Sequence, residues 1–549
     1  MKGGGGITDA LLARYEALGK MMPSIRRYNM FWSSFETVPA QTTRFKCPAG
    51  STAIPVSEAE RAALGYAHFH CYGTSQLRNF DTLFLLDSQI GAQGAAILYS
   101  APPFYRQKNC TGFVFGKDRI MGGCAPRDDA IADYEDYVLM LALRYGKSLR
   151  HYVVWNEVAS AAWMDMTGGP QKCPNSLLKN GSNPLTPECF DIWVSKYATL
   201  MKRTASALHT AGLADAAVVW SSNDHVWDKP KTGAIGGRLH VGVKPFHDAL
   251  WPKLAKVNFT FAMAVHPYDG GNPMMNRAFI GQHRTYNFAT LDHVHDYVAG
   301  QVQKYLGLAT RSEAARPYLI QFASEQGWPY PACCDDKIRS RNICYAQALS
   351  SQWPFMVATT HNYFQDNPHG SEQGGQDYGL IGGNISSALD NATGASPTLD
   401  AYVSTSSALW GASDDHFCCS RWAVGCKSPQ TAGAFDPPAA VSKTEVAVHG
   451  WACDSRAARA GAEAISVALT VDGGKQVQVV ANASRPDVVH TWAKGSCTNK
   501  WHGFRVNVTL ARDKKHTLRA YGLDAAGGGR WELPGSPRCV SGEGKPVTC

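Results

Sequence analysis

Two glutamates stand at corresponding places in the chain. Glu157 closes HYVVWNE at 151–157, and Glu325 closes PYLIQFASE at 317–325. Each ends a short apolar run that reads as a strand. A carboxyl held against an apolar wall keeps its proton to higher pH and can donate it at mild pH. A second, ionised carboxyl nearby can attack a carbon or activate water, and hydrolysis of a sugar acetal needs that pair of roles. Asn156, just before Glu157, is placed to hydrogen-bond a substrate hydroxyl. Asn-Glu also suits a helix N-terminus, so the dipeptide alone leaves two readings level. The Ser324-Glu325 ending three units later breaks the tie, because carboxyls from opposite strands would meet at one barrel mouth.

The elements that must carry them repeat along the chain. Apolar runs near residues 25, 95, 152, 217, 260, 318 and 357 alternate with stretches of helical spacing, at 79–92, 128–146, 190–211, 245–255, 289–307 and 337–350. Runs of this kind suit parallel strands buried on both faces. Seven such strands over some four hundred residues give an α/β chain with a (β/α)₈ barrel as the expected fold. The first strand is the missing one, since the chain opens on the helix-like ITDALLARYEALGKMM from residue 7. An open doubly wound sheet ranks second, because no Gly-rich loop follows the first strand seen. After AGAFDPPAAV (432–441) the texture turns to short alternating strands, with Asp472-Gly473 as a hairpin turn. The expected division is therefore a catalytic barrel at 1–415, a Cys-containing linker at 416–439 and a small antiparallel β-sandwich at 440–549.

The chain resembles the clan A glycoside hydrolases, a (β/α)₈ superfamily in which Asn-Glu ends the fourth strand and a second Glu ends the seventh. With the first strand missing, HYVVWNE becomes the fourth and IQFASEQGW the seventh. The resemblance covers about residues 7–415. It implies that Glu157 is the acid/base, Asn156 the binder of a sugar hydroxyl and Glu325 the nucleophile. It further implies an arginine on strand two near the nucleophile, for which Arg27 fits by alternation and the adjacent Arg26 is the other candidate. Its sixth strand often ends in His-x-Tyr, matched by His266 and Tyr268. Aromatic residues crowd the strand ends, at Trp32, Trp155, Trp163, Trp227 and Trp328, as sugar faces would need and as an ordinary core would also supply. Trp328 is the strongest of these, and His225 at another strand end is a further candidate for binding substrate. The resemblance implies a retaining mechanism, a β-linked polysaccharide or oligosaccharide as substrate, and no metal or organic cofactor.

Two other readings compete. His68-Phe69-His70, in an expected loop, resembles the H-x-H pair of metal-dependent barrel hydrolases, with His225, His266 and Asp366 as further ligands. Alternatively, the chain is a glycan binder that has lost activity, although both glutamates are in place. Composition narrows the field as well. The 549 residues are 44% hydrophobic and 18% charged, which excludes a disordered chain. The net charge of +8 comes without a Lys/Arg block, so no nucleic-acid partner is expected. No apolar run is long enough to span a membrane. The 16 cysteines include no C-x-x-C pair, and Asn-x-Ser/Thr triplets recur, at Asn482 and Asn507 among others. Together they favour a disulfide-bonded glycoprotein of the secretory pathway or outside the cell, acting as a monomer, whose leader is absent from this chain. Cys453–Cys497 and Cys539–Cys549 are the expected sandwich pairs. The neighbours Cys333-Cys334 and Cys418-Cys419 should each split between other partners.

Overall fold

The computed structural model describes residues 25–166, 185–268, 286–325, 330–331, 336–360, 376–377, 418 and 431–547, with short interruptions inside these ranges. The helix expected from residue 7 lies outside them. The chain divides into two compact units, one of residues 1–273, 277–335 and 354–391, the other of 274–276, 336–353 and 392–549.

Seven strands form the main sheet of the first unit: β1 (Ile25–Phe31), β2 (Gln93–Tyr99), β3 (Leu149–Val154), β4 (Val218–Asn223), β5 (Phe261–Val265), β6 (Gln321–Ala323) and β7 (Met356–Thr359). They stand in chain order, and every neighbouring pair is parallel. Helices α1 (Thr74–Gln89), α2 (Ile131–Tyr145), α3 (Pro187–Thr210), α4 (Val243–Leu254) and α5 (Leu291–Leu306) fall between successive strands. This β/α succession is that of a TIM-type fold, and the strands fall where the apolar runs predict them. Helix α6 (Asp336–Ser350), between β6 and β7 in sequence, belongs to the second unit.

Side chains alternate faces along a strand, and here the two faces have different partners. On one face Ile25, Ala95, Ile97, Val153, Trp220, Ala262, Ala264 and Phe322 form a single apolar cluster fed by β1 to β6, with Ala358 of β7 packed against it. The other face meets the helices. Tyr28 lies edge-on to Phe80 and Phe84 of α1, and Tyr137 of α2 donates to the Met30 carbonyl. Burying each such ring contributes roughly 1.5–3 kcal/mol. Continuing the clustered face toward the carboxyl ends, two residues at a time, leads from Ile25 to Arg27, from Trp220 to Ser222 and Asp224, and from Ala264 to His266.

Of His68-Phe69-His70 only His68 lies outside a strand; Phe69 and His70 open one. Strand Phe69–Gly73 pairs antiparallel with Glu36–Gln41 and Ser51–Ile54, and all five of its residues are buried. His70 lies between Glu36 (2.7 Å) and Asp136 (2.9 Å), while His68 faces Asp133 (2.7 Å). These imidazoles are matched to Glu36 and to Asp133 and Asp136 of α2. Asp366 lies outside the described residues. Among the described residues neither His68 nor His70 joins a group of three or more donors close enough to hold a metal ion.

The second unit holds two antiparallel sheets. One contains Thr431–Phe435, Ala439–Ser442, Glu445–Asp454, Ala483–Ser484 and Trp501–Thr509; the other is centred on Ser466–Val471 and His516–Leu523. Both feed one apolar cluster that includes Val446, Val448, Val467, Leu469, Phe504 and Leu518. Strand pairing begins at Thr431, inside the stretch expected to be linker, because Thr431–Phe435 extends along Glu445–Asp454. Asp472 and Gly473, both at positive φ, turn the chain between Ser466–Val471 and Val477–Val480.

Disulfides join Cys47 to Cys71, Cys110 to Cys124 and Cys344 to Cys418. Cys418 thus bonds away from its neighbour Cys419. Cys453 and Cys539 are disulfide-bonded too, but Cys497, Cys549, Cys333 and Cys334 lie outside the described residues. Among the described residues no helix is long and apolar enough to cross a membrane.

Candidate active site

Glu157 follows β3 on a backbone that leaves the strand sharply. Trp155 (φ 61°) and Glu157 (φ 39°) both occupy the left-handed region, which costs a non-glycine residue about 1–3 kcal/mol. Hydrogen bonds hold the turn there. The Trp155 amide donates to Leu98 O on β2, the Glu157 amide to Ser222 Oγ on β4, and the Ser160 amide back to Glu157 O. Below them, Tyr197 of α3 donates to Val154 O and accepts from the Ser222 amide. Glu325 is set by β7 in the same manner, since Thr360 donates to Ala323 O through its amide and to Ser324 O through its hydroxyl.

The two glutamates meet around His266, which follows β5. Its Nδ1 is 2.9 Å from Glu157 Oε1 and 3.8 Å from Glu325 Oε2, and its Nε2 is 3.2 Å from Ser324 Oγ. One oxygen of each carboxyl and a ring nitrogen of His266 lie within 4.8 Å of one another. Arg27 Nη2 donates to Glu325 Oε2 at 2.8 Å, and Tyr268 Oη donates to Glu325 Oε1 at 2.5 Å. Arg26 instead points to the helix face and pairs with Asp87 of α1, as alternation requires. Two carboxylates and an imidazole are also a donor set for a divalent cation. Here the Arg27 guanidinium already supplies the positive charge on Glu325.

The surroundings drive the carboxyls in opposite directions. Burial is the largest influence on Glu157 and pushes its pKa up, Glu325 and Asp224 add to the rise, and His266 offsets only part of it. Burial pushes Glu325 up as well, but Arg27, then His266, then the Tyr268 hydroxyl outweigh it and leave Glu325 below the usual carboxylate range. The surroundings thus set the two carboxyls apart, Glu157 giving up its proton at higher pH than Glu325.

Asn156 is buried, and its Oδ1 has no hydrogen-bond partner among the described residues. His225 is half-buried, with its ring 6.4 Å from that of Tyr268. His266 is fully buried with both ring nitrogens facing protein groups, so it touches the carboxyls rather than an open cleft. Three of the tryptophans are buried. Trp32 stacks on Tyr105 and Tyr137, Trp155 donates to Trp163 O, and Trp227 packs edge-on to Tyr286 and Tyr297. Trp163 is half-buried, edge-on to Tyr99, and Trp328 lies outside the described residues.

Sequence reasoning missed a buried group behind Glu157, made of Ser160, Asp224 and His240. Asp224 Oδ2 is 2.8 Å from His240 Nδ1, and His240 Nε2 is 3.1 Å from Ser160 Oγ. The available signal was the polar run Ser221-Ser222-Asn223-Asp224 at a strand end, where all four side chains are buried.

No family model matches the chain, and no curated protein matches it. Solved structures similar to it include a family 1 β-glucosidase from Thermotoga maritima, 9% identical over 72% of this chain and 84% of that one, with a TM-score of 0.39. A β-glycosidase from Thermosphaera aggregans is 12% identical over 71% and 83%, with a TM-score of 0.40. A β-glucosidase from Pyrococcus furiosus is 11% identical over 69% and 80%, with a TM-score of 0.41. Likeness at this level assigns neither a family nor a chemistry to the chain.

Proposed function

We propose that the first unit is a retaining glycoside hydrolase acting on β-linked glycans, with Glu157 as acid/base and Glu325 as nucleophile. The observation that carries this reading is the carboxyl pair itself: oxygens within 4.8 Å, one group raised and the other lowered by what surrounds them. Retaining enzymes hold their carboxyls about 5–5.5 Å apart, and inverting ones about 6.5–9.5 Å, to leave room for water. Carboxyls bridged by one imidazole, with an oxygen of each within 4.8 Å of the other, are in keeping with the closer arrangement.

Glu325 attacks the anomeric carbon while Glu157 protonates the departing oxygen, and a glycosyl ester forms on Glu325. Esterification removes the Glu325 charge, one of the influences that raise Glu157. Glu157, its proton given to the departing oxygen, then stays ionised and takes one from the water that cleaves the ester, releasing Glu325 as the carboxylate. Arg27 and Tyr268 keep Glu325 ionised before attack. Asn156 is a candidate contact to a sugar hydroxyl, its buried Oδ1 having no hydrogen-bond partner among the described residues. His266 sits beneath both carboxyls and positions them, while His225 is a candidate contact to substrate. The β-linkage follows from the clan resemblance. We further read the paired sheets of the second unit as a β-sandwich accessory domain, and the disulfides as fitting an oxidising, secretory setting.

The test is a screen of the purified chain against aryl β-glycosides and β-linked polysaccharides, followed by two substitutions. Glu325→Ala abolishes turnover, and azide restores it with inverted product. Glu157→Ala forms the intermediate from activated aryl glycosides and then stalls, and azide releases product of retained configuration. Near-wild-type activity in both variants on a confirmed substrate refutes the assignment.

A further inference from the structure

Ser160, His240 and Asp224 have the linear hydrogen-bond order of a catalytic triad, but their burial denies them that chemistry. All three are essentially inaccessible, and Ser160 Oγ also accepts from the Ala162 amide at 3.3 Å. A hydroxyl sealed in this way cannot reach an acyl carbon. What the chain of bonds does reach is the turn carrying Glu157. Ser160 N donates to Glu157 O, Ala161 N to Leu239 O, and Val241 N to Ala159 O, so residues 159–161 are stitched to 239–241. Asp224 follows β4 directly. Its second oxygen accepts from the Val226 amide at 2.8 Å, which fixes the carboxylate in place.

We propose that the Ser160–His240–Asp224 chain is a positioning relay for Glu157, fixing the strained turn that carries its carboxyl and holding a permanent negative charge behind it. Burial of a lone carboxylate is costly unless it is paired and hydrogen-bonded, and Asp224 meets both conditions. Burial pushes Asp224 up, yet His240, His225 and the Val226 amide outweigh it and leave it ionised. Other charged or titratable groups also act on the two carboxyls. Glu157 faces His266, Glu325, Asp224 and Tyr286, and Asp224 faces His240, His225 and Tyr286. Of those that raise Glu157, Glu325 loses its charge during the proposed reaction and Asp224 keeps it. Beside burial, the largest influence, Asp224 is then the charge that still raises Glu157 when the ester forms.

The relay rests on Glu157 as the proton donor, but its first readout does not need turnover. Difference infrared spectra of the full chain over a pH titration follow protonated carboxyls, and Glu157→Gln assigns the Glu157 band. In Asp224→Asn the Glu157 midpoint moves to lower pH, and Asp224→Glu returns it toward wild type. His240→Gln moves it the same way, by letting Asp224 take up a proton, and serves if Asp224→Asn fails to fold. On a confirmed substrate the alkaline limb of kcat/KM shifts acidward in step. General-acid help is worth about 10²–10⁴-fold, so the loss exceeds about tenfold on poor leaving groups and is small on activated aryl glycosides. A merely structural role lowers stability and leaves the midpoint alone. An unmoved midpoint in a folded variant overturns the relay. A wild-type chain inactive on every glycoside overturns the donor assignment instead, and the infrared result still decides the relay.

Discussion

Arg27 is the group whose removal tests the electrostatic argument most directly. Its guanidinium is the largest of the influences that lower Glu325, and it bonds one oxygen at 2.8 Å. With charge centres about 4 Å apart and an effective dielectric of about 20, the attraction is about 4 kcal/mol. The two side chains are 13% and 15% exposed, so solvent screens little of it, and that figure is a ceiling. Arg27→Met leaves Glu325 buried without its cation. Each 1.4 kcal/mol is a factor of ten, so kcat/KM at mildly acidic pH should fall by about 10²–10³-fold.

The sign follows from which form reacts. The nucleophile must be ionised, and removing Arg27 raises its pKa, so the acid limb of the kcat/KM profile moves to higher pH. Activity should therefore recover in part as pH rises. Arg27→Lys keeps the charge but not the planar fork, and should lie between wild type and Arg27→Met. The assay is initial rates on an activated aryl glycoside across the pH range, at constant ionic strength. An acid limb that stays in place, with Arg27→Met folded and Glu325 still essential, would refute the reasoning.

Tyr268→Phe removes the hydroxyl that donates to Glu325 Oε1. A hydrogen bond to a charged group is worth about 1.5–3 kcal/mol, so kcat/KM should drop by about 10–150-fold, with the acid limb again displaced upward. Away from the site, Glu36 and Asp136 overcome the effect of burial and raise His70 from 6.5 to about 10. A group raised on folding contributes stability that is full below its unfolded pKa and is lost as pH rises through the folded one. The thermal midpoint should hence fall between pH 6.5 and 10, with a slope of at most about 1.4 kcal/mol per pH unit from this residue. His70→Gln should cost about 3–5 kcal/mol near neutrality and flatten that fall; equal slopes in both proteins would count against the charged imidazole.

The sheet was legible because strands buried on both faces leave apolar runs that need no periodicity analysis to find. Strand β6 shows the limit. Only Gln321–Ala323 pairs, with a register shift after Gln321, while Arg316–Leu319 before it forms a helical turn. The choice between Arg26 and Arg27 was open in the sequence and is decided by alternation once Ile25 is known to face the cluster. His70 was misread because an isolated histidine beside apolar residues looks like a loop. Its carboxylate partners are Glu36, 34 residues away, and Asp136, 66 away. The relay was invisible for a similar reason. Ser160, Asp224 and His240 carry no shared spacing, and only the parallel pairing of β3 with β4 brings the ends of those strands together.

The same pairing explains how one fold gives two neighbouring carboxyls opposite behaviour. At the carboxyl ends of parallel strands, residues separated by scores of positions come within bonding reach, and each strand brings its own neighbour. Glu325 stands beside β1, β5 and β7 residues that offer a guanidinium, a phenol and an anchoring threonine. Glu157 stands beside β4, which offers the Ser222 hydroxyl and, just past the strand, a second carboxylate in Asp224. Desolvation alone would raise both glutamates, so burial cannot be what separates them. The separation comes from the Arg27 cation and the Tyr268 hydroxyl at Glu325, set against the Glu325 and Asp224 carboxylates at Glu157, with His266 shared between them. The contrast between the two carboxyls is therefore written in their neighbours, Arg27 above all on the Glu325 side.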